Sequence, residues 1–280
     1  MKSAPVKGAL IGYDFLHNDY WLFWANYEGQ TAHDPYTGSS GGYFTPARLP
    51  VIYTEGLLWG GFLRGIPAES DTPRVGGISY RIGTDPGGII RIDDHLEVNG
   101  LSKGIFKVHK NWQNLSNQYF KRELSISLHK QEDEITDYDV NSIRKRYAKN
   151  WKEWPVQWGA PFNDVNDNGI YDPVIDEQGY PQIDQGDYPG IAGADETLFM
   201  VVNDLNEARV KAHTGTLPVG VELQITLWNY QNTFWPLSSA VFKRYVLINK
   251  SNATIDSMYF QLFADPDVGD YSDDLVGCDS

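Results

Sequence analysis

Between Val221 and Trp228 apolar and polar side chains alternate without a break: Val221, Leu223, Ile225 and Leu227 against Glu222, Gln224, Thr226 and Trp228. Only an extended chain, whose successive side chains point to opposite faces, turns that pattern into one buried face. The same alternation returns at Met258, Phe260, Leu262 and Ala264, interleaved with Ser257, Tyr259, Gln261 and Phe263, after a more continuously apolar run over residues 242–248. The polar residues 249–253 between these two runs read as a turn, which predicts an antiparallel hairpin. Upstream, the apolar run 57–63 carries Gly60 and Gly61, and the pairs Gly76-Gly77 and Gly87-Gly88 break the next stretches. That is the punctuation of short strands, and the absence of βαβ alternation argues against a parallel α/β sheet.

One segment has a different period. Val140, Ile143, Tyr147, Trp151 and Trp154 recur at helical spacing, with Arg144, Lys145 and Lys149 on the opposite face. The spacing predicts a helix over about 138–154, with Asp137 and Asp139 as candidate N-caps and Pro155 as its stop. Its tryptophan stripe reads as a core face rather than a sugar platform. The fold expected is therefore mainly β, an antiparallel β-sandwich with one accessory α-helix. Residues 1–42 read as an aromatic N-terminal arm ending in a flexible loop, Thr37-Gly38-Ser39-Ser40-Gly41-Gly42. Residues 43–280 read as the sandwich domain, with a helix and calcium-loop insertion at about 131–196. No internal repeat of fixed period is found.

Charge then limits the partners. The 280 residues carry 37 acidic and 23 basic side chains, a net charge of −14, which leaves no basic face for nucleic acid and disfavours anionic membranes. Cations are the natural partners. No apolar run approaches the ~20 residues of a membrane span. The single cysteine, Cys278, excludes an internal disulfide framework and a multi-cysteine zinc site, and reads as a small buried hydrophobe. The six histidines (17, 33, 95, 109, 129 and 213) are scattered, and no HExxH, GxSxG, phosphate-loop or dinucleotide fingerprint occurs. Asn114, Asn249 and Asn252 head glycosylation sequons that matter only in a eukaryotic secretory route. Asp14 and His17 interrupt any leader-like apolar region, so the chain is expected to be cytosolic or a piece of a longer precursor.

The most specific motif is Asp164-Val-Asn166-Asp-Asn168-Gly169-Ile170-Tyr-Asp172. Oxygen-bearing side chains at positions 1, 3, 5 and 9, with glycine at 6, repeat the spacing of a calcium loop. Alternate oxygens turn inward, Gly169 permits the bend, and the Ile170 carbonyl supplies a further ligand. Position 12 is Ile175, so Asp176 is the candidate for the closing carboxylate. Two neutral Asn among the ligands place the expected affinity at about 10⁻⁴ to 10⁻³ M. The competing reading is an Asx-rich turn without an ion. A second acidic group, Asp265, Asp267, Asp270, Asp273, Asp274 and Asp279, reads equally as another calcium site or as a solvated loop. It is also where paired carboxylates of a glycoside hydrolase would sit.

A set of ordered landmarks runs through the second half. They are Trp154-Pro155, Gly159-Ala160-Pro161, the 164–173 loop, Gly193-Ala194-Asp195-Glu196-Thr197-Leu198 and Val202-Asn203-Asp204. Pro218-Val-Gly220-Val-Glu222, Phe242-Lys-Arg-Tyr-Val-Leu-Ile-Asn249-Lys-Ser251, Ile255-Asp256-Ser257-Met258-Tyr259 and Ala264-Asp265-Pro266-Asp267-Val-Gly269 continue them, with Gly56-Leu-Leu-Trp59-Gly60-Gly61 upstream. Together they resemble a largely uncharacterised family of large secreted bacterial proteins that end in a type IX secretion sorting domain. The resemblance covers about residues 51–280 and is carried mainly by residues from 151 onward. It implies export to the cell surface or medium and no established activity or catalytic residues. The reading it supports is a secreted or cell-surface, calcium-stabilised β-sandwich module with an adhesive, glycan-binding or structural role. Extracellular polysaccharide or cell-surface components are then its expected partners beside calcium. The rival is a secreted polysaccharide hydrolase using carboxylates of the Asp265–Asp274 region. The lack of a leader segment supports a third reading, a cytosolic binding protein.

Overall fold

The computed structural model describes residues 12–65, 72–231, 235–270 and 272–274. Five strands come first: β1 (Tyr13–His17), β2 (Trp21–Asn26), β3 (Gly42–Phe44), β4 (Leu49–Arg64) and β5 (Pro73–Gly77). β6 (Asp85–Pro86) and β7 (Phe106–His109) lead into the helices α1 (Asn117–Leu128) and α2 (Asp137–Lys152). β8 (Glu196–Asn203), α3 (Glu207–Thr214), β9 (Val221–Asn229), β10 (Val241–Asn249) and β11 (Thr254–Pro266) follow. Three short ribbons, 89–92 with 95–98, 162–163 with 188–189, and 173–175 with 181–186, decorate the connections.

These strands form two antiparallel sheets. One has the order β1-β2-β3-β4-β11, with β5 also paired to β4; the other has the order β10-β9-β8-β6, with β7 also paired to β8. Their facing sides share one core, in which Leu16, Leu57, Trp59 and Leu63 of the first sheet meet Leu198, Met200, Val202, Leu223, Ile225 and Leu227 of the second. The mainly-β sandwich is thus present.

Its alternation is not the simple one expected. β8 is buried at every position and β9 at seven of nine, Glu222 and Thr226 included. The second sheet is covered on both faces, because Phe199 and Val201 pack on its far side against Trp154, Ala160 and Val108.

The helix over Asp137–Lys152 buries Val140, Ile143, Tyr147 and Trp151, while Lys145 and Lys149 are exposed. Thr136 is its N-cap, and Asp139 completes a capping box with it. Trp154 lies beyond the helix end and donates from Nε1 to the Pro161 carbonyl at 2.7 Å. Two further helices correct the expectation of a single one. α1 hides its period because Glu123 occupies a buried position beside Phe120, Leu124 and Leu128, and α3 is a short helix with no apolar stripe and Val210 alone buried.

Two other expectations are corrected. Residues 13–44 are no arm: β1, β2 and β3 are strands of the first sheet, with Phe15 and Leu16 fully buried. Aromatic content without alternation concealed them, since three polar residues are buried there: Asp14 pairs with Arg146, Asn26 accepts the Glu28 N–H within its own turn, and His17 lies against Glu196. The hairpin expected over residues 242–264 does not form. β10 pairs with β9 in one sheet and β11 pairs with β4 in the other, so the 250–253 turn carries the chain across the sandwich. β4 itself is one strand of 16 residues, and Gly56 lets it run beneath Ile78, whose carbonyl lies 2.4 Å from where a Cβ would stand.

Candidate functional site

Three places gather chemistry-bearing side chains. The first is the 164–172 loop. Asp164 accepts the backbone N–H of Asn168 on Oδ1 (3.1 Å) and of Gly169 on Oδ2 (2.6 Å). The carboxamides of Asn166 and Asn168 both donate to Asp172, at 3.2 and 3.1 Å. Asp167 (φ 56°) and Gly169 (φ 76°) hold the left-handed conformations that make the bend. The structure therefore brings Asp164, Asn166, Asn168 and Asp172 together. Ile170 is in the same turn, its N–H donating to Asn168 Oδ1 at 2.7 Å and its side chain exposed. Asp176 is engaged elsewhere. It caps the next turn, accepting from the N–H groups of Gln178 (3.0 Å) and Tyr180 (2.7 Å).

The loop is anchored by a residue the motif does not contain. Asp187 is fully buried and accepts the N–H of Val165 (2.8 Å) and of Asp172 (3.1 Å), pinning both ends. As arranged, the side-chain oxygens of Asn166 and Asn168 bond loop amides and their NH₂ groups face Asp172. For these side chains to ligate a cation, both carboxamides would have to rotate so that their oxygens replace the NH₂ groups beside Asp172. Among the described residues no group of three or more His, Cys, Asp or Glu forms a metal cluster.

The second place is a buried ionic network between β1, β7, β8 and the two long helices. Lys107 Nζ lies 3.0 Å from Glu123 Oε1 and 3.0 Å from Glu196 Oε1, all three side chains sealed from solvent. Tyr147 donates to Glu123 (3.0 Å) and Tyr119 to Glu196 (3.2 Å), while Asn229 and the His17 N–H donate to Glu196 Oε2 at 2.9 and 2.8 Å. Arg146 bridges Asp14 (3.2 Å) and Glu123 (3.5 Å). Burial would raise the two glutamates and is the largest single influence on each, but Lys107 and the other basic groups around them, Arg146 beside Glu123 and the histidines beside Glu196, together outweigh it and hold both carboxyls below their ordinary range. Burial next to these carboxylates pushes both tyrosine hydroxyls up, so they stay protonated donors. Its centre, Lys107 with Glu123 and Glu196, is closed to solvent, and its chemistry is cohesion.

The third place is open to solvent. A cavity of about 530 Å³ is lined by Glu28, Gln30, His33, Tyr53, Tyr80, Arg81, Ile82 and Arg209. A neighbouring groove of about 490 Å³ shares Tyr53 and adds Ser39, Asp265, Asp267 and Asp274. Tyr80, 61% exposed, meets Phe263 edge-on at 4.9 Å and Tyr53 at 6.5 Å; His33 packs on Tyr53 at 5.1 Å. The Tyr80 hydroxyl bonds Asp265, which together with burial raises its pKa. Arg209 spans Glu28 (2.7 Å) and Asp85 (3.1 Å). The sequence reading named only Asp265 and its neighbours here, because the other lining residues come from five separate stretches of chain.

Three carboxylates of the acidic segment accept hydrogen bonds. Asp267 accepts from Ser40 Oγ (2.8 Å), Asp274 from the Val268 N–H (3.1 Å) and Asp270 from Ser272, which lowers the Asp270 carboxyl. Cys278 and Asp279 lie outside the described residues. No helix among the described residues is long and apolar enough to cross a membrane. No family model, curated protein or solved structure matches the chain.

Proposed function

We propose that this chain is an extracellular β-sandwich binding module that takes a polyhydroxyl, saccharide-type ligand in the tyrosine-lined cleft. The cleft around Tyr53 and Tyr80 carries the reading. It offers amphipathic aromatic faces beside hydrogen-bonding groups, Gln30, His33, Glu28 and Arg81, at the size of a small-ligand site. The cell-surface placement implied by the family resemblance belongs to the same proposal. Titration with a panel of neutral oligosaccharides tests it. Binding that Tyr80→Ala weakens at least about tenfold is expected, a loss of about 1.4 kcal/mol; no heat or fluorescence change with any sugar at millimolar concentration overturns it.

Calcium enters as a stabiliser of the 164–172 loop. Ion binding to the folded chain alone raises the melting temperature. The parent should melt higher in millimolar calcium than in chelator, and Asp164→Ala should melt alike in both. Identical parent melts would leave an Asx turn without an ion. The rival reading is a hydrolase: Asp265, Asp267 and Asp274 line one groove beside Tyr53, although Asp267 and Asp274 also accept hydrogen bonds from Ser40 and from the Val268 N–H.

A further inference from the structure

β11 lies at the end of its sheet, paired with β4 on one side and with no strand on the other among the described residues. Directly opposed residues of an antiparallel pair share a face. Phe260 stands opposite Trp59, and Leu262 opposite Leu57, both of which are core residues. Yet Phe260 is 58% exposed and Leu262 75% exposed, and Tyr259 on the other face is 77% exposed. Two side chains that point to the core side of the sheet therefore stand in water, on a strand edge that still offers N–H and C=O groups. Such an edge is a template for another strand.

We propose that the strand that pairs there is β11 of a second copy of this chain, antiparallel about a two-fold axis at Leu262. Three features of the edge select this occupant and register. The ladder with β4 is regular from Tyr259 to Asp265 and irregular beyond both ends, with Ser257 at φ 51° and Pro266 lacking a donor. A centre at Leu262 uses this entire run. It then sets Phe260 opposite Ala264, Leu262 opposite Leu262 and Gln261 opposite Phe263, so large side chains meet small or flexible ones. It also sets Tyr259 opposite Asp265, a hydroxyl donor against a carboxylate, and opposes no like charges. Residues 257–264 contain no charged side chain in a chain of net charge −14, and the two Asp265 side chains stand at opposite ends of the pair, so no like charges meet in the contact. The same symmetry makes the contact self-complementary and closed. Tyr259 of the second copy comes beside Asp265 and thus beside the tyrosine cleft.

The buried area of one strand pair is small, so the association is expected in the weak class and to strengthen with salt as the acidic bodies are screened. Sedimentation velocity of the full chain, from low micromolar to millimolar, reads it. A monomer–dimer equilibrium should appear, and Leu262→Lys, which opposes two ammonium groups at the axis, should weaken it at least about tenfold without altering the circular dichroism melt. In a Cys278→Ser background, oxidation should join two Leu262→Cys chains, whereas Phe260→Cys alone should stay monomeric. A chain monomeric at every concentration overturns the proposal and assigns the edge to a different strand. A dimer indifferent to Leu262→Lys, or one cross-linked through Phe260→Cys, overturns this register and surface.

Discussion

The two long sides of the sandwich solve the same problem in opposite ways. On the side where β1 and β7 end their sheets, α1 and α2 pack over the gap, and even the charges brought in are paired: Lys107 with Glu123 and Glu196, Arg146 with Asp14. On the side where β10 and β11 end theirs, no helix packs over the sheets among the described residues; Lys243 of β10 reaches Glu55 of β4, and apolar groups stand exposed beside them, Phe260, Leu262 and Val246 among them. Charge is sealed inside on the closed side, whereas on the open one the ion pair is only partly buried and hydrophobe stands outside. The difference teaches that polarity alone does not report burial. A buried ion network tolerates few changes because each member would leave a desolvated partner, while an exposed apolar edge tolerates many.

Mutations can break that comparison. The largest effect is expected where the helical layer is densest. Trp151 is 1% exposed and shares a cluster with Trp112, Phe120 and Tyr147, so Trp151→Ala should cost about 3–5 kcal/mol in urea unfolding. A loss under about 1 kcal/mol would mean that the helices are loosely held and the closed side is not closed.

The landmarks in the second half turn out to be architectural. Asp204, at the end of one, accepts the N–H groups of Val219 (2.8 Å), Gly220 (2.9 Å) and Val221 (2.8 Å) of the next. Asn203 donates to the Gly87 carbonyl at 2.8 Å, and Glu196 anchors the ion network. This explains what could be read beforehand. The helix face of Val140, Ile143, Tyr147 and Trp151 and the strand at residues 221–229 were legible because local periodicity and tertiary burial agree there. The 164–172 loop was legible in its own residues but not in its anchor, since Asp187 lies on a later segment and bonds only backbone. Nothing in local sequence marks Lys107 as buried. It follows Phe106 and precedes Val108 as a solvent-facing residue of a strand would, and only the folded chain places two carboxylates against it. The cleft was hidden for the same reason. The misread hairpin is different in kind. Both strands were identified, but a four-residue turn can either return a strand to its neighbour or pass it to the facing sheet, and periodicity is silent on the choice.

The claim that sealed charge holds the closed side together while the exposed apolar edge of β11 contributes little to stability has one direct test. Urea unfolding of Lys107→Met should be compared with that of Leu262→Ala, at a concentration where the chain is monomeric. Removing the ammonium leaves Glu123 and Glu196 buried without their cation, so Lys107→Met should lose about 3–5 kcal/mol. Leu262→Ala, at a largely exposed position, should change stability by no more than about 0.5 kcal/mol. Equal losses in the two variants, or a Lys107→Met chain as stable as the parent, would contradict the account.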